Sequence, residues 1–166
     1  MRRIRVQMLI RELSISEISK MLTLFDGLRD EYADVSFTEV HSEKEIEGWL
    51  HHQDVHLFVA IDQDEVIGVM RAIRQTHNRD HEALTTIAVG REHRNKGVAK
   101  LLVNHSIDKL RDTGVKLLRA YVYSNNKASI LTHLSCGFTC TGSVYQEHYD
   151  EKTSSYIDDL IFHKIL

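Results

Sequence analysis

The sequence predicts an α/β (α+β) fold: one mixed sheet covered by helices, with elements in the order βααβββαβαββ. Three observations predict it. Apolar Ile15, Ile18, Met21, Leu22 and Phe25 recur at the spacing of a helix with one buried face. Runs such as His56–Ile61 and Val66–Arg74 flank the polar turn Asp62-Gln63-Asp64-Glu65, as in a β-hairpin. The two kinds of segment interleave along the chain, so the strands should carry helices on their faces.

Taken in order, Val6–Arg11 reads as a first strand. Ser14 can cap a helix from Ile15 to about Arg29, and Glu17 completes a capping box. A second box, Ser42 with Glu45, opens a short helix that ends near Leu50 and carries Ile46, Trp49 and Leu50 on its apolar side. After the hairpin, Leu84–Val89 is a strand that runs into a basic turn and an amphipathic helix reaching about Thr113. Gly114 supplies the left-handed residue that stops it. Lys116–Tyr123 is a strand, Lys127–Cys136 a helix ending at Gly137, and two strands finish near Leu166.

The 166 residues suit one domain spanning 1–166, and no proline, repeat or low-complexity run suggests a linker. Hydrophobic residues at 42% and charged residues at 27% are a globular composition. A net charge of −3 gives no general reason to bind nucleic acid. The basic start at Arg2, Arg3 and Arg5 precedes an apolar stretch too short for a signal peptide. No segment approaches the ~20 apolar residues of a membrane span. Cys136 and Cys140 are too few for a disulfide framework, so a cytoplasmic protein without membrane contact is expected. His51, His52 and His56, like His77 and His81, lack the accompanying ligands of a metal motif and read as polar surface; no metal is expected.

The chemistry concentrates between Leu84 and Leu102. A strand delivers the chain into Arg91-Glu92-His93-Arg94-Asn95-Lys96-Gly97-Val98-Ala99, where a helix begins. A helix start offers unpaired N–H groups and the positive end of the dipole, so it receives phosphate. Gly97 has no side chain to keep a phosphate away, Ala99 stays small, and Arg94 and Lys96 add charge suited to a pyrophosphate.

This segment resembles the acetyl-CoA motif of the GNAT superfamily of N-acetyltransferases, Gln/Arg-x-x-Gly-x-Gly/Ala, in the form Arg94-Asn95-Lys96-Gly97-Val98-Ala99. A second stretch, from Asn126-Lys127-Ala128-Ser129 to Gly137-Phe138, is similar to that family's Asn-x-x-Ala/Ser…Gly-Phe helix. The resemblance covers residues 55 to 166 by motif and the N-terminal third by topology. It implies a mostly antiparallel central sheet of about seven strands flanked by about four helices. It also implies acetyl-CoA (coenzyme A) as the acetyl donor, bound without a metal. Backbone groups of Arg94, Asn95, Lys96, Gly97, Val98 and Ala99 should hold the pyrophosphate. Ile87, Ala88 and Val89 should face the pantetheine and thioester on a strand splayed from its neighbour. Asn126 should bond the pantetheine side.

Acyl transfer to an amine needs a base, an oxyanion donor and an acid for the leaving thiolate. The resemblance puts the oxyanion donor at the N–H of Ala88 or Val89. Where many members carry a helix Tyr as acid this chain has His133, with Tyr121, Tyr123 and Tyr145 as rivals. Where members carry a strand Glu as base, Thr85 and Thr86 stand nearest; Glu82, acting through a water, is the candidate. Glu31 and Tyr32 are candidates for the acceptor pocket. The reading that follows is an enzyme acetylating a primary amine on a small molecule: an amino acid, a polyamine or an amine antibiotic. Transfer would be direct, in a ternary complex, by a homodimer. Alternatives are acetylation of a protein N-terminus or lysine, and a non-catalytic acyl-CoA-binding module.

Overall fold

The computed structural model describes residues 8–166; Val6, Gln7 and the basic start lie outside them. The elements follow the predicted order: β1 (Leu9–Glu12), α1 (Ile18–Asp30), α2 (Glu43–Leu50), β2 (Val55–Asp62), β3 (Glu65–Arg74), β4 (Glu82–Val89), α3 (Val98–Asp112), β5 (Leu117–Tyr123), α4 (Lys127–Ser135), β6 (Thr139–Asp150) and β7 (Ser155–Ile165). The strands form a seven-stranded sheet in the order β1-β2-β3-β4-β5-β7-β6. Every pairing is antiparallel except β4 with β5. No helix among the described residues is long and apolar enough to cross a membrane.

The helices cover the sheet from both sides because alternate strand residues point to opposite faces. On one face, Val98, Leu102, Val103 and Leu110 of α3 pack with Phe58, Met70, Leu118, Val122 and Phe162. On the other, Met21, Phe25 and Leu28 of α1 and Ile46 of α2 pack with Phe37, Val59 and Val69. Each such side chain contributes roughly 1.5–3 kcal/mol through burial. Close contact between α3 and the sheet depends on Gly68, where an added Cβ would stand 3.0 Å from Cγ1 of Val98.

The first capping box is present, with a difference. Residues Ile15–Glu17 form a 3-10 turn and the α-helix begins only at Ile18. The Glu17 carboxylate accepts from the Ser14 N–H at 3.0 Å and also receives Arg11, whose Nη1 lies 3.0 Å away. Glu17 is thus a buried knot between β1 and the entry to α1. Its Arg11 hydrogen bond, reinforced by Ser14 and Ser16 against the cost of burial, holds its pKa down to about 2, from an ordinary 4.5. A depressed carboxylate pKa gives stability that is full above the unfolded value and is lost as pH falls through the folded one. The stability gap between wild type and Glu17→Gln, measured by urea unfolding, should therefore be constant above pH 4.5 and shrink as pH falls toward 2. A gap independent of pH would contradict this role.

Candidate active site

The site begins where two strands part. β4 pairs with β3 along its length, from Ala83 opposite Arg74 to Val89 opposite Gly68. With β5 it pairs only through Glu82–Leu117, Ala83–Leu118 and Leu84–Arg119. Beyond that point the Thr85 hydroxyl donates to the Arg119 carbonyl at 3.2 Å, and the ladder ends. The β5-facing edge of Ile87, Ala88 and Val89 is left without a strand partner. Continuing the Leu84–Arg119 register outward puts Thr86 level with Tyr121 and Ala88 level with Tyr123.

Glu82 sits at the closed end of this wedge. It is 3% exposed and accepts from Arg79 Nε at 2.7 Å and Arg119 Nε at 3.1 Å. Burial opposes its ionisation, but the two guanidinium groups prevail and its pKa lies below the ordinary value. At a 3.3 Å rise per residue, Glu82 stands about 20 Å along the strand from Ala88. A carboxylate held this way, this far off, does not have the geometry of a base for chemistry at Ala88. It pins β4 to β5 instead.

At the open end, a 3-10 turn at Arg91–His93 leads into the predicted cradle. Asn95 and Gly97 are left-handed, with φ of 60° and 78°. Glycine suits the second because a Cβ there brings strain. The space beside it is open, with no atom within 4 Å of a Cβ position. Among the described residues, the N–H groups from Asn95 to Lys100 donate to no protein acceptor, while the Leu101 N–H already serves Gly97 at 3.1 Å. Such a row of free donors at the positive end of a helix fits a pyrophosphate. The side chains do something other than the sequence suggested. Arg94 donates through Nε to the Val89 carbonyl at 3.0 Å and pairs with the Glu31 carboxylate, and Lys96 donates to the Glu92 carbonyl at 2.8 Å. Both cations fold back on the loop and shape it. Glu31 is consequently a loop anchor, and Tyr32 is an exposed residue at φ 54°.

Across the wedge, Asn126 caps α4 by accepting from the Ser129 N–H at 3.1 Å, which leaves its NH2 group free. His133 is 6% exposed and packs edge-on against Phe138. A carbonyl only accepts, so His133 Nδ1, 2.8 Å from the Ser129 carbonyl, carries the proton. Nε2 is buried without a partner. Burial also lowers the pKa. A neutral imidazole with its one proton committed to the backbone has none to give, so His133 is placed as a packing residue. Tyr121 is half exposed on β5, with Tyr123 two positions nearer the open end; Tyr145 is exposed on β6.

On the α1 face lies a cavity of about 260 Å³ lined by Asp34, Tyr123, Asn125, His148, Tyr149 and Asp150, with Ile157. Burial, then the carboxylates of Asp159, Asp34 and Glu39, raise the Tyr123 pKa, so the phenol stays protonated. On β3, opposite Thr86, Arg71 lies 4.5 Å from the Trp49 ring centroid and 5.1 Å from that of Phe37. The sequence reading missed Arg71, Asp34, His148 and Asp159. Arg71 had a signal, a lone charge in the otherwise apolar run Val66–Ile73. The others had none, because their grouping is made by strand register.

The fold is that of known acetyltransferases. An acetyltransferase of the GNAT family from Streptococcus pneumoniae matches with a TM-score of 0.81 at 20% identity, over 96% of this chain and 100% of that one. The yncA protein of Salmonella typhimurium, solved with its cofactor acetyl-CoA, matches at 0.83 and 19%, over 96% and 94%. The model of the acetyltransferase (GNAT) family matches residues 21–138. The chain belongs to that family, whose members are acyltransferases that use acetyl-CoA. Among curated relatives, the L-amino acid N-acyltransferase MnaT of Escherichia coli (strain K12) is 33% identical over 66 residues, 40% of this chain and 38% of that enzyme.

Gly97→Glu would put bulk and negative charge into the open space before the free N–H groups. Acetyl-CoA affinity by calorimetry should fall about 100-fold or more, the worth of one or two charge-assisted bonds. The melting temperature should change by only a few degrees, from backbone strain of about 1 kcal/mol. Unchanged affinity would remove the cradle from this loop.

Proposed function

We propose that this chain transfers the acetyl group of acetyl-CoA to the primary amine of a small molecule, in one catalytic domain and by direct attack in a ternary complex. The observation that carries the reading is the unpaired edge of Ile87–Val89 next to the free N–H row of Asn95–Lys100. The first offers backbone groups to a pantetheine arm, the second to a pyrophosphate. The thioester supplies an activated acetyl group. The N–H of Val89, which faces the open edge whereas that of Ala88 faces β3, stabilises the negative charge that develops on its oxygen. Asn126 contributes its free NH2 to the same arm. Tyr123, level with Ala88 and kept protonated, replaces His133 and Tyr121 as the acid that meets the leaving thiolate.

An amino acid is favoured as acceptor. The likeness to MnaT supports it, as does a cavity of about 260 Å³, which has the volume of a small metabolite rather than of a peptide groove. The homodimer we propose would cover β6, an edge strand exposed on both faces from Thr139 to Glu147.

Thiol release from acetyl-CoA with amino acids, spermidine, an aminoglycoside and short peptides tests the reading. Activity confined to amino acids is expected. Binding of acetyl-CoA with no thiol released by any amine would favour the non-catalytic module. Tyr123→Phe should lower kcat by about 10²-fold or more with the Kd for acetyl-CoA unchanged, whereas Tyr121→Phe should leave kcat within about threefold. The reverse order would move the acid to Tyr121.

A further inference from the structure

The cavity is lined by His148, which is hydrogen-bonded to Asp159, and the roles above leave both side chains unused. β6 and β7 lose register between Val144 and His148, where Gln146 adopts φ 49° and its N–H donates to Asp158 Oδ1 at 2.8 Å. This bulge swings His148 over the sheet, with its Nε2 3.3 Å from Asp159 Oδ2. A carboxylate can only accept, so Nε2 carries the proton and Nδ1 presents its lone pair. Among the described residues, Nδ1 has no hydrogen-bond partner. Asp159 is well placed to fix that state: it lies opposite Tyr123 in the β5–β7 ladder, and its other oxygen is buried without a partner. The Tyr123 ring stands 4.7 Å from the imidazole, centroid to centroid.

We propose that His148, held in this tautomer by Asp159, is the base that takes a proton from the ammonium group of the acceptor. The inference rests on the acetyltransferase reading and supplies the base that Glu82 does not. Nδ1 accepts one proton from the ammonium and later passes it to solvent. The freed nitrogen lone pair then forms the C–N bond to the acetyl carbon, and the C–S bond breaks with its electron pair on sulfur. The second proton lost by nitrogen balances the one that the thiolate acquires from Tyr123. His148 is the catalytic residue of the pair and Asp159 the positioning residue. The groups facing His148 are Asp159 from β7, Tyr123 from β5, Asp34 from the segment after α1, and Tyr149 and Asp150 from β6. Lys152 sits against Asp34 at 3.3 Å. The carboxylates would draw an ammonium group into the cavity in its charged form, which is the form that needs a base.

The test uses acetyl-CoA with the twenty L-amino acids as probe acceptors. His148→Gln should lower kcat about 10²- to 10⁴-fold and leave the Kd for acetyl-CoA unchanged. Asp159→Asn keeps the imidazole but removes the acceptor that fixes its tautomer, so turnover should fall about tenfold or more with the Kd for acetyl-CoA unchanged. A readout independent of turnover is the tautomer. Long-range ¹H–¹⁵N spectra of the wild-type protein should show neutral His148 protonated on Nε2. Wild-type turnover in His148→Gln, or an Nδ1–H tautomer, overturns the dyad and leaves the acetyltransferase reading standing. Failure of the wild-type protein to release thiol with these probes and with spermidine, an aminoglycoside and short peptides overturns both.

Discussion

The constraint on which the site depends is the early end of the one parallel ladder. β4 and β5 are joined at Glu82–Leu84 and part beyond it, although both strands continue. Two side chains set the point of parting. Glu82, buried between Arg79 and Arg119, ties the closed end. Thr85 takes the Arg119 carbonyl with its hydroxyl, so that carbonyl is satisfied where the backbone ladder stops. A buried carboxylate with two guanidinium partners is costly to break, because removing one partner strands charge in the interior. The wedge is therefore held open by interactions made entirely at its closed end. The edge of Ile87–Val89 that faces β5 stays without a strand partner, its Val89 carbonyl held by Arg94, while the other edge keeps its ladder with β3.

The second half of the site is tied to the first through the loop. Arg94 reaches back to the Val89 carbonyl, at the tip of the open strand, and forward to Glu31, beyond the end of α1. Strand end, the loop before α3 and the end of α1 are thereby fixed relative to one another. Gly68 lets the start of α3 sit close on β3, and this sets the depth at which the free N–H groups stand over the sheet. A donor molecule bound along this path would run from the helix start, down the β4 edge, to the level of Ala88 and Tyr123. The cavity proposed for the acceptor is lined by Tyr123, where that path would end.

Much of this was legible in the sequence, and what was not has a physical reason. Element order followed from periodicity and caps, and the helix start after Gly97 was readable from the change of pattern there. Roles assigned to single side chains fared worse. Arg94 and Lys96 were read as phosphate ligands from their charge, but charge says nothing of direction, and both turn inward to backbone carbonyls. His133 has the chemistry of an acid, yet its helix position buries it against Phe138 and Phe162. Glu82 is the right residue type on the right strand at the wrong end. His148 and Asp159 were invisible because a bulge in β6, with no glycine or proline to mark Gln146, creates their contact.

The most direct test of the account is a titration of ¹⁵N-labelled protein with coenzyme A, followed through backbone amide shifts. The account predicts large, saturable changes in two groups of amides, Ile87–Val89 and Asn95–Lys100, with little change at Glu82 and Arg119. Binding that leaves those two groups still and perturbs amides elsewhere would contradict it.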